Sequence, residues 1–344
     1  MSFFSLKTPS SIATDCINSI AEAINSGKLP RDWGWIRSRS EHGEQLRKIE
    51  ENPFLQRIIE RIHEFSTLTK RVEREPQGKK DIGDVFWELM YGRIKRSGYT
   101  NIFFESGSTL AFVSSSFEKK VRNAEGDRRH EWHVTTNNAL ALLQLLLNTN
   151  IETNPLPPGP PEGYYGAMFG STLLQDPEAA PRIPRRLFPR EKEAVNKTSQ
   201  LLRGQQKRRL FLATASGLDI NHTEENFRGP HIGSHPNMLF KRAIFLTRQP
   251  VVLFLTEAKI GKPFIDGTCY PVFGPDYTWK RALKFCPLAI CIAFQNKAED
   301  RLRHDLIDVA GMNDFDFDYA GKKLEGGGVF IAANRPFVQM IAKE

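Results

Sequence analysis

A chain of 344 residues with 40% apolar residues and 26% charged ones, an ordinary globular share, does not have the composition of wholesale disorder. It is longer than one typical domain, which favours two domains or one large domain with an appendage. Its net charge of +8 is uneven: ten basic residues lie between Arg182 and Arg209 against only Glu191 and Glu193, so this segment carries the whole excess. No apolar run approaches the roughly eighteen residues of a membrane span, and the opening MSFFSLKTPSS lacks the regions of a signal peptide. A soluble, cytoplasmic protein without a membrane partner is therefore expected. Cys16, Cys269, Cys286 and Cys291 are too scattered for a disulfide framework, and the odd offset of the last two puts them on opposite faces of a strand. No metal and no cofactor are expected.

Residues 1–80 read as helical. Ile12, Cys16, Ile17, Ile20, Ala23 and Ile24 form a stripe ended by Gly27, and Asn52-Pro53 is an N-cap and first-turn pair ahead of a second apolar stripe from Phe54 to Leu68. Trp33-Gly34-Trp35 reads as an aromatic anchor in the loop between them. This region is assigned as a partner or oligomer interface. Residues 81–344 alternate helical and strand patterns, which implies parallel pairing and an α/β ligand-binding domain with a mostly parallel sheet flanked by helices.

In chain order, a helix through Val85, Phe86, Met90 and Ile94 closes at Ser97-Gly98, and Thr100 to Phe104 is a buried strand. That strand runs into Glu105-Ser106-Gly107-Ser108-Thr109 and a second helix. A strand at Trp132 to Thr135 ends in Thr136-Asn137-Asn138 before a leucine-rich helix over 139–147. A Pro-rich surface loop (152–163) and the basic segment (182–209) follow. Further strands are expected at Leu210 to Ala213, Val251 to Leu255, Leu288 to Phe294 and Val329 to Ala332, with a helix from Asn237 to Arg248. His231 and His235 have the spacing of a helical metal pair, but the glycine and proline around them argue for a capping or surface loop. His133 is expected to be a core histidine, and Asp314, Asp316 and Asp318 alternate with aromatics as the acidic face of a strand.

Four strands thus end in small or polar corners: Ser106 to Thr109, Thr135 to Asn138, Ser216-Gly217 and Thr256 to Lys259. In an open parallel sheet such corners line the ligand crevice. In this order they resemble the effector-binding domain of the DeoR-type sugar-responsive regulators, of the fold shared by ribose-phosphate isomerase, glucosamine-phosphate deaminase and the CoA transferases (the ISOCOT fold). The pieces that carry the resemblance are IFFESGSTLAF, VTTNNALALLQLL, LFLATASGLDI and FKRAIFLTRQPVVLFLTEAKIG, within residues 81–262.

The resemblance implies that Ser106, Gly107, Ser108 and Thr109 hold a phosphate through amides and hydroxyls. It implies that Thr136 and Asn137 face the same crevice, that Ser216 and Gly217 admit the ligand to the backbone, and that Lys259 supplies a positive charge. Glu105 would contact a sugar hydroxyl or, in an enzyme, act as the catalytic base. The pattern departs at Thr256, where the family has an acidic residue, and at Glu257-Ala258, where it has serines; no winged DNA-binding domain is legible in residues 1–80. The leading expectation is a sensor of a sugar phosphate or nucleotide that signals to a partner protein, and relatives of the fold imply a homo-oligomer. The alternatives are an isomerase or deaminase, or a nucleic-acid binder acting through Arg185, Arg186, Lys207 and Arg208. Gly107→Val is expected to abolish ligand binding with the fold intact.

Overall fold

The chain divides into two compact units, Met1–Pro76 and Gln77–Glu344. The computed structural model describes residues 75–124, 131–138, 141, 145, 151–155, 187, 189–203, 208–219, 228–233, 235–261, 270–295, 299–309 and 312–341. Both helical stripes expected in the first eighty residues, Ile12 to Ile24 and Phe54 to Leu68, lie outside this set.

The second unit opens with α1 (Pro76–Arg96), followed by β1 (Asn101–Phe104), α2 (Ser108–Asn123), β2 (Trp132–Thr136) and β3 (Ile151–Pro155). After the Pro-rich and basic segments come α3 (Pro189–Arg203), β4 (Arg209–Thr214), β5 (Gly217–Asp219), β6 (Gly229–Ile232), α4 (His235–Leu246) and β7 (Val251–Thr256). A single 3-10 turn over Glu257–Lys259 leads to β8 (Tyr270–Pro271), α5 (Trp279–Phe285), β9 (Leu288–Phe294), α6 (Glu299–His304), β10 (Phe315–Leu324), β11 (Gly327–Asn334) and α7 (Arg335–Met340).

Eight strands form one sheet in the order β3-β2-β1-β4-β7-β9-β11-β10. The first six are mutually parallel, and β11 and β10 add an antiparallel hairpin at the β9 edge. Numbered among themselves, the parallel strands run 3-2-1-4-5-6, so chain order reverses between β1 and β4. That reversal is the topological switch point, where two helix layers part and leave a crevice beyond the strands' C-terminal ends.

The core explains why the sheet is covered on both sides. Ile102 and Phe104 of β1, with Leu210 and Leu212 of β4, face a cluster built with α1 and α2, including Phe86, Trp87, Val113 and Phe117. Phe103, Phe211, Leu253 and Ile290 face the other cluster with α3, α4 and α5, including Leu202, Ile244 and Trp279. Alternate residues of each strand thus serve opposite layers, which is why the strands read as continuous apolar runs. Cys291 lies in β9 and in the first cluster, whereas Cys286 caps α5 outside the strand and lies in the second, so the two do not share a strand.

Three expectations are corrected. The loop assigned to begin at residue 152 is, through Pro155, an edge strand parallel to β2, where proline is tolerated because only one side of the strand is paired. His133 is not in the core: it is half-exposed on β2, and its Nδ1 lies 2.7 Å from Glu152 Oε2 on the neighbouring strand. His231 and His235 are not in a surface loop. His231 lies buried in β6 with Nδ1 2.9 Å from the Gly229 carbonyl, and His235 opens α4.

A second sheet of three strands, β5-β6-β8, was not legible in the sequence. The acidic face expected at Asp314 to Asp318 is present. Phe315, Phe317 and Tyr319 are buried while Asp318 is exposed and pairs with Arg303 at 2.7 Å.

Candidate functional site

Because β7, β4, β1 and β2 are adjacent and parallel, the corners after them all lie at one end of the sheet, on either side of the switch point. The ladder fixes their heights: Phe104 pairs with Thr136 and Leu212, and Thr214 with Phe254.

The loop after β1 has only three residues, Glu105, Ser106 and Gly107, before α2 begins at Ser108. Gly107 adopts φ 145° and ψ 145°, a region that side chains disfavour. A Cβ built there would stand 2.2 Å from Thr214 Cγ2. A valine at this position therefore meets the protein itself, not an open phosphate position, and Gly107→Val does not separate binding from folding.

Asn138, at the end of β2, ties this loop back. Its Nδ2 donates to the carbonyls of Glu105 (3.2 Å) and Gly107 (2.9 Å). With every peptide trans, each of these carbonyls sends the following N–H the opposite way. The amides of Ser106 and Ser108 therefore point away from Asn138. Among the described residues, none accepts a hydrogen bond from either amide. They sit at the N-terminus of a sixteen-residue helix, where partial positive charge accumulates.

Across the switch point, Lys259 extends from the turn after β7. Its Nζ lies 3.3 Å from Thr109 Oγ1 and 3.5 Å from Thr214 Oγ1. Thr214 also donates its hydroxyl to the Phe254 carbonyl at 3.0 Å, which fixes the side chain between Gly107 and Lys259. Glu257 is turned aside from this corner: its Oε2 accepts from the Gln295 amide beyond β9 at 2.9 Å.

Glu105 is fully buried and forms an ion pair with Lys241 of α4, itself fully buried. The same carboxylate oxygen accepts from the Thr214 amide at 3.3 Å. Burial pushes the Glu105 carboxyl upward and the Lys241 ammonium downward, and their mutual attraction opposes both shifts.

Of the residues expected at the site, the structure brings together Glu105, Ser106, Gly107, Ser108, Thr109 and Lys259. Thr136 is buried; its hydroxyl donates to the Phe104 carbonyl at 2.7 Å and accepts from the Asn138 amide at 2.9 Å. Asn137 is buried beside it, and Asn138 makes two contacts to the loop carbonyls. Ser216 and Gly217 serve the small sheet: the Ser216 amide donates to the His231 carbonyl, its Oγ accepts from the Gly233 amide, and Gly217 pairs with His231.

Arg185, Arg186 and Lys207 lie outside the described residues. Arg208 stands at the opposite end of the sheet, where it donates to the Ser97 carbonyl at 3.2 Å and stacks over Tyr99. The adjacent Arg209 donates to the Leu202 carbonyl at 2.8 Å, so this end of the basic segment ties α1, α3 and β4 together.

Sequence reasoning missed Lys241, Thr214 and Asn138. Asn138 carried a signal as the last residue of the polar corner Thr135 to Asn138, and Lys241 as a lysine inside the helical run Met238 to Leu246.

Among the described residues no cluster of His, Cys, Asp or Glu could hold a metal ion, and no helix is long and apolar enough to cross a membrane. No protein-family model matches the chain, and no curated protein matches it either.

Proposed function

We propose that this protein is a ligand-sensing regulatory protein that binds a phosphorylated small molecule, a sugar phosphate or nucleotide, at the loops after β1, β2, β4 and β7. In this reading it signals the bound state to a partner protein. The observation that carries it is the orientation of the Ser106 and Ser108 amides, directed away from Asn138 at the start of α2, where Lys259 reaches the hydroxyl of the next residue, Thr109. A phosphate there would gain charge-assisted hydrogen bonds from amides, hydroxyls and an ammonium group. The reversal of strand order and the lysine-bearing turn after β7 support a crevice site at this end of the sheet, and a relation to the DeoR-type effector domain is part of the same proposal.

Sensing is preferred over an isomerase or deaminase reaction because proton transfer needs a base within reach of substrate, the role expected of Glu105. The Glu105 carboxylate is instead buried and engaged by Lys241 and Thr214. A nucleic-acid surface is less favoured because Arg208 is occupied in joining structural elements.

Thermal unfolding with a panel of sugar phosphates and nucleotides tests the reading. A ligand present at a hundred times its Kd stabilises by about 2.7 kcal/mol, which raises Tm by roughly 5 °C for a unit of this size. The rise should be lost in Lys259→Ala. A panel in which no phosphorylated compound stabilises the protein would remove the phosphate site.

A further inference from the structure

We propose that Asn138, Glu105 and Lys241 are positioning residues that set the peptides after β1 from behind and do not touch the ligand. The inference rests on the reading of that loop as a phosphate site. All three side chains are buried; Asn138 holds two carbonyls of the loop, and Lys241 holds the side chain of its first residue, Glu105.

The Asn138 carboxamide cannot rotate without losing bonds at both ends. Its Nδ2 spans two loop carbonyls, its Oδ1 accepts from the Ala141 amide at 3.2 Å, and its own amide is fixed by Thr136 Oγ1. A donor serving both carbonyls on one side keeps the Ser106 and Ser108 amides aimed to the other.

Glu105 is gripped from β4 and α4, through the Thr214 amide and the Lys241 ammonium. Lys241 thereby does two things. It fixes the first residue of the loop, and it neutralises a carboxylate that would otherwise set a negative charge beside the anion site. Neither charge is sustainable alone at this depth, because desolvation of a single buried ion is not repaid without its partner. Lys259, half-buried and reaching the hydroxyls of Thr109 and Thr214, is left as the lysine that meets the ligand.

The test compares the intact protein with Asn138→Ala and with the doubly neutralised, near-isosteric variant Glu105→Gln/Lys241→Met, which keeps the fold accessible if the first does not. Two quantities are measured: the amide order parameters of residues 106–108 without ligand, and the affinity for inorganic phosphate by calorimetry. The intact loop should be as ordered as rigid backbone, about 0.85, and fall below about 0.6 in both variants while core amides keep their values. Phosphate affinity should fall roughly tenfold or more, the equivalent of one lost charge-assisted hydrogen bond. Loop order unchanged in both variants, or already low in the intact protein, overturns the positioning roles. An ordered loop that both variants loosen, with no phosphate affinity in the intact protein, removes the phosphate reading and leaves the positioning roles standing.

Discussion

Gly107→Ala offers the sharpest test of the loop geometry, because two separable costs meet at one methyl group. The first is conformational: at φ 145°, ψ 145° a side chain costs about 1–3 kcal/mol. The second is steric: the new Cβ would stand 2.2 Å from Thr214 Cγ2, and forcing a methyl into packed surroundings costs typically about 1–3 kcal/mol. Together they predict a loss of about 2–6 kcal/mol, well above the roughly 0.5 kcal/mol of an ordinary surface change.

Thr214→Ser separates the two costs. It deletes the colliding methyl yet retains the hydroxyl that donates to Phe254 and lies near Lys259. Urea unfolding of the two single variants and the double variant should show Thr214→Ser recovering the steric part, about 1–3 kcal/mol, and none of the conformational part. A Gly107→Ala protein as stable as the original, or a serine that recovers nothing, would refute the geometry on which the amide orientation depends.

Two further predictions concern the interior. Lys241→Met leaves Glu105 buried without its partner and should cost about 3–5 kcal/mol near neutral pH. Because the folded carboxyl then titrates even further above its unfolded value, the folded state binds the extra proton and stability falls as pH rises; the deficit measured at pH 8 should exceed that at pH 5. A pH-independent deficit would mean that Glu105 is not held charged by Lys241. Asn334→Ala should cost about 2–4 kcal/mol in urea unfolding, since this buried side chain makes four hydrogen bonds. It accepts from the Leu288 and Phe337 amides and donates to the Leu283 and Cys286 carbonyls, thereby joining β9, α5 and α7. A loss below about 1 kcal/mol would show that these bonds are replaced by water.

The sequence by itself determined the α/β class and which strands would end in polar corners. Runs such as Ile102 to Phe104, Leu210 to Ala213 and Val251 to Leu255 are apolar on both faces, and such runs bury themselves only in a sheet covered on both sides. The corner after β1 was legible for a local reason: a glycine among hydroxyl residues between two apolar runs is what a strand needs to turn sharply into a helix.

What the sequence withheld depends on contacts between distant residues. Strands β5 and β8, of three and two residues, are too short to show a period, while β3 (IETNP) and β6 (GPHI) carry polar residues, glycine or proline that read as loop; all four exist because a neighbour pairs with them. Glu105 and Lys241 are 136 positions apart, and nothing local in either segment says that one will neutralise the other. The reach of Asn138 to the loop carbonyls depends on the ladder between β1 and β2, and Thr214 became central only because β4 lies beside β1 at the switch point. Local composition decided where the chain could turn, while the long-range pairing of parallel strands decided which residues meet there.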